Sequence, residues 1–465
     1  MKNGLHQKYL AFWHKLTSGS TNRKIFGAAI TVGLGTAFVK LASVVKELVV
    51  AWKFGTADDL DAFLIALVVP FVITNVIAGS FNAALIPTYI KVREHSGIEA
   101  AQKLFSGAIA WSLGLLGITT VLMLIAAPLY LPKMAAGFSA DKLYLTYKLL
   151  WAIAPIILLT GMMTIWGAVL NAGEKFALVA VAPIITPAIT MLFLFGINSW
   201  GVFSLASGLV CGQLLEMLVV GIALRRQGIS LLPKWYGFDT HLREVAGQYA
   251  PMIAGAFLMC STALVDQSMA AMLPSGSVAS LNYGNRIISL PITITSTALS
   301  TAVIPYFSKM VAREDWANVR HTLKQYLGLI FALTIPLTGL IILFSEPIVQ
   351  LLLQRGSFTA NDTRLVAQIQ ACYALQIPFY IATILVVRLI SAMRYNQILM
   401  WGSGGNLIVN ISLNYLFMQW WGVPGIALST SGVLCFSFFY LGFFANKRLN
   451  KSLTDSQTMI QLTKQ

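Results

Sequence analysis

Apolar residues along this chain come in long, nearly unbroken runs separated by short polar stretches. A run of about 20 apolar residues is enough for a helix to cross the hydrocarbon of a bilayer. Twelve runs reach that length, near 26–52, 62–90, 104–129, 146–171, 176–197, 202–224, 246–273, 280–307, 324–344, 366–392, 399–419 and 425–445. The pattern predicts an all-α polytopic membrane protein with about 12 transmembrane helices. Ahead of the first run, Leu5, Tyr9, Leu10, Phe12, Trp13 and Leu16 alternate with Lys2, Lys8 and Lys15. That alternation predicts an amphipathic segment on the lipid surface over 1–24, not a cleaved signal.

The runs repeat. Ile86-Pro87 with Lys91 four residues on is echoed by Ile304-Pro305 with Lys309, an offset of 218. Trp200-Gly201-Val202 recurs as Trp421-Gly422-Val423, an offset of 221, and Leu205-Ala206-Ser207 has a loose echo in Ala427-Leu428-Ser429. These echoes predict two six-helix lobes, 25–225 and 246–446, joined by a basic linker at 226–245 and followed by a polar tail at 447–465. Six is even, so both lobes enter from the same face, as parallel repeats about an axis along the membrane normal.

Composition sharpens this picture. Of 465 residues, 57% are hydrophobic and only 11% charged, where a soluble domain carries about 25% charged residues. Mean hydropathy is +0.74. The net charge of +15 is carried mostly by short loops, such as Lys91/Arg93/Lys103, Arg225/Arg226/Lys234/Arg243 and Lys309/Arg313/Arg320/Lys324. Charges so placed orient a membrane protein and do not form a nucleic-acid face; their bias puts both termini in the cytoplasm and the Asp58/Asp59/Asp61 turn outside. Cys211, Cys260, Cys372 and Cys435 lie far apart within apolar runs, which predicts neither disulfides nor a metal site.

Charges inside the runs are costly and are the natural candidates for function. Lys40 and Glu47, seven residues apart, fall on one face of the first helix; Lys46 is turned by about 100° from Glu47, so the adjacent pair need not form a direct side-chain bridge. Together they read as a cationic patch for an anionic group, with Glu47 limiting the excess charge, or else as long lysines snorkelling to the interface. Arg286, in Asn282-Tyr-Gly-Asn-Arg286, suits bidentate phosphate contact or an ion pair with Asp266. Asp266 and Glu216 are lone acids in apolar helices, readable as proton or cation sites or as packed polar partners. Arg388 sits near a helix end, where it serves either function or snorkelling. Asn406, Asn410 and Asn414, spaced by four, read as interhelical hydrogen bonding in preference to sugar contact. Several prolines, Pro70 and Pro291 among them, are expected to kink or end helices, as a rocking transporter requires. No Walker-type phosphate loop and no His-Glu pair at metal spacing occur, so neither ATP hydrolysis nor other catalysis is expected.

Three separated motifs resemble a known family. Phe38-Val-Lys40 through Ala51-Trp-Lys-Phe54-Gly55, Leu60-Asp61-Ala62-Phe63 and Ala84-Leu-Ile-Pro87 are similar to the opening of the MurJ/MviN lipid II flippases. The stretch from Ser275 through Arg286 to Pro291 resembles that family's eighth-helix signature, and Gln354-Arg355-Gly356-Ser-Phe358-Thr359-Ala-Asn-Asp362-Thr363 its QRGxFTxxDT loop. The resemblance covers nearly all of 30–445. It implies a MATE-like fold, a central cavity between the lobes, and a polyprenyl-pyrophosphate-linked saccharide as cargo: lipid II, or an exopolysaccharide or O-antigen unit.

By motif, Lys40 and Lys46 take two arginine positions of the family's cavity, Glu47 and Asp61 two aspartate positions, and Arg286 the eighth-helix arginine. The family's paired second-helix arginines fall at Thr74 and Asn75, and a nearby acid falls at a deletion around Gly79. Typical members have fourteen spans where twelve are read here. The resemblance further implies alternating access in a bacterial cytoplasmic (inner) membrane and no cofactor. Coupling to Na+, H+ or the membrane potential stays open; Asp266, Glu216 and Arg388 are the candidate coupling or ion-pair residues. The expected partners are the lipid-linked oligosaccharide, membrane lipids and cell-envelope glycan synthesis proteins. The alternative reading is a cation-coupled multidrug exporter of the MATE type, which would want acids in its cavity for cationic drugs.

Overall fold

In a computed structural model of the chain, residues 21–172, 176–226, 237 and 240–462 are described. Nearly all of the amphipathic segment expected over 1–24 and most of the linker lie outside them. Every regular element among the described residues is helical. The first is α1 (Thr21–Phe54). Helix α2 (Asp58–Ile73) runs through a π-helical turn at Thr74–Gly79 into α3 (Ser80–Met134). Next come α4 (Ala140–Ile153), α5 (Pro155–Ala172), α6 (Phe176–Val181), α7 (Ile185–Gly196) and α8 (Val202–Arg226). The remaining helices are α9 (Thr240–Ala270), α10 (Ser277–Ala312), α11 (Trp316–Leu343), α12 (Ser345–Leu353), α13 (Ala360–Ala374), α14 (Gln376–Ala392), α15 (Asn396–Trp421) and α16 (Val423–Leu462).

Eight helical stretches among the described residues are long and apolar enough to cross a membrane. Asp58–Met134 is one of them and covers two of the expected runs; its helix is broken at Gly97, where φ is 85°. Helix α1, with Lys40, Lys46 and Glu47, is not among the eight, nor is α15, with its three asparagines.

The chain divides into two compact units. One holds the residues up to Val50 together with Ala66–Pro128 and Leu145–Ala256. The other holds Ala51–Ile65, Leu129–Tyr144 and everything from Phe257 onward. In the first unit Phe81, Trp111 and Tyr249 meet edge-on, with ring centroids 5.3–5.7 Å apart. In the second, Phe331 meets Phe379 and Phe438 edge-on at 6.0 and 5.4 Å, and those two rings lie tilted at 6.1 Å. Each such ring pair adds about 0.5–1.5 kcal/mol beyond the area it buries.

The Trp-Gly-Val echo is one turn built twice. Gly201 (φ 51°, ψ −131°) and Gly422 (φ 61°, ψ −131°) both precede a long helix. In each turn the amide three residues on donates to the glycine carbonyl, at 3.1 Å. Only glycine adopts these angles without strain, so the repeated triplet encodes a repeated helix start.

Close helix packing positions the polar groups. A Cβ on Gly208 would lie 2.8 Å from Thr190 Cα, and one on Gly212 would lie 2.7 Å from Thr186 Cα. Small residues four apart let α8 approach α7 at backbone distance, the arrangement that holds helices together where burial from water contributes nothing.

Candidate functional site

In the first unit, Lys40 is exposed on α1. One and a half turns on, Lys46 Nζ lies 2.9 Å from Glu47 Oε1, with both side chains about four-fifths buried (21% and 22% exposed). The pair does bridge, although helical angle alone does not require it. Adjacent residues project about 100° apart, yet two long flexible side chains curl far enough to meet.

Lys46 also lines a cavity of about 400 Å³ within this unit, with Thr160, Thr164, Thr186, Gln213 and Glu216. Glu216 is 3% exposed and accepts a 2.7 Å hydrogen bond from Thr186 Oγ1. Beside it, Thr160 Oγ1 donates to Gln213 Oε1 at 2.5 Å. The carboxylate reaches Thr186 because Gly212, one turn earlier on α8, lets the two backbones close up.

Thr74 and Asn75 have local tasks. Thr74 Oγ1 donates to the Pro70 carbonyl at 2.8 Å and Asn75 Nδ2 to the Phe71 carbonyl at 2.9 Å. A π turn lengthens the hydrogen-bond register, so carbonyls at its start gain from side-chain donors. Tyr249 Oη donates to Ile77 O at 3.0 Å, a third such bond.

In the second unit the family-like motifs converge on one another. Asp61 is 1% exposed, and its oxygens accept from Gly276 N at 2.8 Å, Ala279 N at 2.8 Å and Lys142 Nζ at 2.9 Å. Lys142 also pairs with Asp58, which accepts from Ser275 Oγ at 2.7 Å as well. Asp61 thus caps the N-terminus of α10, where exposed amides and the helix dipole favour an anion. Expected among the cargo ligands, it is committed to chain atoms. Nearby, Ser357 N donates to Trp52 O at 2.9 Å and Thr56 Oγ1 to Asp362 Oδ1 at 2.6 Å. Asp362 closes the capping box of α13 with Thr359. Gly356 (φ 61°) touches the same strand of chain, and a Cβ there would lie 2.3 Å from Trp52 O. Tyr283 Oη donates to Gly55 O at 3.1 Å, and its ring packs on Phe358.

Asp266 is held by Asn410 Nδ2 at 2.9 Å, Asn414 Nδ2 at 2.6 Å and Thr430 Oγ1 at 3.2 Å. Asn406 Nδ2 reaches Ser437 at 3.3 Å. The asparagine stripe therefore does bond between helices, as its spacing predicts. Asp266 takes these partners and not Arg286, for which that ion pair is the alternative to phosphate contact. Arg286 and Arg388 are both exposed, on α10 and α14. The capping of α10 by Asp61 and the Gly208/Gly212 contact escape sequence reasoning. Of the two, only the small-residue spacing on α8 carries a legible signal.

Solved structures with this fold include one described as lipid II flippase MurJ in an inward closed conformation. It is 24% identical and has a TM-score of 0.78, with 93% of this chain and 92% of that one covered. An inward-facing multidrug resistance MATE family transporter also gives 0.78 at 12% identity, over 92% of this chain and 99% of that one. Among sequences, the probable lipid II flippase MurJ of Synechocystis sp. is 27% identical over 453 residues, 93% of this chain and 83% of that protein. The protein of the same name from Thermotoga maritima is 27% identical over 405 residues, 86% of this chain and 81% of that one. Residues 50–464 match the family described as lipid II flippase MurJ, and the chain belongs to that family.

Proposed function

We propose that this protein moves lipid II from the inner to the outer leaflet of the bacterial cytoplasmic membrane by alternating access. The observation that carries the proposal is the family match over 50–464. Lys40, Lys46 with Glu47, and Arg286 are the groups offered to the pyrophosphate. Asp61 acts on the cargo only through the helix start it caps. Twelve spans in two lobes, 25–225 and 246–446, with both termini cytoplasmic, complete the proposed topology. The inside-negative potential favours outward movement of an anionic head group by about 2.3 kcal/mol per charge per 100 mV.

Asp266, Asn410, Asn414 and Thr430 are the residues proposed to hold a coupling cation, Na+ or H+. They fit such a group because a carboxylate, two amides and a hydroxyl form a hard, oxygen-rich set. The Asn410 and Asn414 carbonyl oxygens are buried there without a hydrogen-bond partner.

Transport of a fluorescent lipid II in proteoliposomes tests the proposal. Lys40→Ala or Arg286→Ala should slow flipping at least about tenfold, the scale of losing one charged contact in a desolvated site. Unchanged flipping with equal protein per vesicle would remove these residues from the mechanism.

A further inference from the structure

The cavity beside Glu216 has a chemistry of its own. It is lined by residues of the first unit and is partly open, and its volume of about 400 Å³ falls in the range that holds small organic ligands. Most of its wall is apolar, including Val39, Met163, Val179 and Leu209. Its charged lining groups are Lys46 and Glu216, on α1 and α8. Lys46 is neutralised by Glu47 at 2.9 Å. Among the described residues Glu216 meets no cation and accepts from the Thr186 hydroxyl at 2.7 Å. The carboxylate is therefore the unbalanced charge of a mostly apolar chamber, and Gln213 and Thr160 stand beside it as neutral hydrogen-bonding groups.

We propose that this cavity binds an organic ammonium group: a protonated amine attached to an apolar body, with the nitrogen on Glu216. A buried carboxylate with one neutral donor gains most from a ligand that brings a compensating charge and further N–H donors. An anion there would face like charge at low dielectric. The hydroxyls of Thr160 and Thr186 and the amide of Gln213 complete a directional set for an alkylammonium. The volume beyond them accommodates the apolar remainder. This site is separate from the groups offered to the pyrophosphate, except that Lys46 borders both.

The test uses the purified full-length chain and two dyes of equal body, monodansylcadaverine and its N-acetylated form, with binding read by fluorescence. The amine should bind, and acetylation should weaken it at least about tenfold, as loss of a desolvated charge pair does. Glu216→Gln should weaken amine binding by a similar factor and leave the acetylated dye unaffected. Equal binding of the two dyes to wild type, or equal amine affinity in Glu216→Gln, would overturn the proposal. Should Glu216→Gln fail to fold by size exclusion, Met163→Trp fills the chamber with the acid intact. It should abolish amine binding, and undiminished binding would overturn the proposal equally.

Competition distinguishes the two sources of such a group. Displacement by lipid II with a free peptide amino group, and not by its N-acetylated form, assigns the ammonium to the cargo. Displacement by neither assigns it to a free amphiphilic amine. A chain that flips lipid II yet binds no amine loses this inference alone, and one that binds the amine yet does not flip lipid II loses the proposed function alone.

Discussion

Glu216 and Asp266 carry the same sequence signal, a lone acid in an apolar helix, yet their surroundings are opposite. Asp266 in the second unit is closed in by two amides and a hydroxyl from α15 and α16. Asp61, in the same unit, is likewise saturated, by two backbone amides and Lys142. Glu216 in the first unit has one threonine and faces open space. A buried acid is thus not one kind of site. Where the chain supplies donors to both oxygens the acid is held among its own helices, with room at most for a small cation; where it supplies one, the acid faces space for a larger ligand.

The contrast predicts graded costs. Lys142→Met should be the most severe, because it strips the paired cation from the buried Asp61 carboxylate. Breaking one side of a buried ion pair costs about 3–5 kcal/mol, readable as a large drop in thermal unfolding temperature in detergent. A small drop would mean that the α10 amides alone satisfy Asp61. Asp266→Ala comes next. It leaves the Asn410 and Asn414 amides without their acceptor, at about 1–3 kcal/mol for each unsatisfied group. Unfolding should again report it, together with loss of any Na+ or pH dependence of flipping. Stability equal to wild type would show that the cluster tolerates an unfilled centre. Glu216→Gln should be mildest in the absence of ligand. It removes a charge but can keep the Thr186 hydrogen bond, so unfolding should move by less than about 1 kcal/mol. A shift as large as that of Asp266→Ala would erase the distinction between the two acids.

Much of this was legible in sequence, for identifiable reasons. Apolar runs reveal helices because length and hydropathy are local properties. The Trp-Gly-Val pairs reveal a repeat because a left-handed turn admits glycine and little else; φ is 51° and 61° at Gly201 and Gly422. The Asn406/Asn410/Asn414 spacing marks one helix face, and that face does bond to neighbouring helices.

What stayed hidden depends on partners distant in the chain or on flexible side chains. Asp61 reads as a cargo ligand in sequence because its donors, the Gly276 and Ala279 amides, lie more than 200 residues away and offer only backbone. The Lys46–Glu47 pair, which helical geometry leaves undecided, forms through side-chain reach. Thr74 and Asn75 looked like losses at arginine positions; in the structure they serve a π turn that hydropathy cannot announce. The motifs that marked the family turned out to hold one another, as Trp52 with Ser357 and Thr56 with Asp362 show.

The central claim is that this chain flips lipid II, and complementation tests it most directly. The chain, expressed in a bacterium depleted of its own lipid II flippase, should restore growth and wall synthesis, and its Arg286→Ala variant at equal membrane level should not. Lysis of the depleted cells despite good expression of the intact chain would contradict the account.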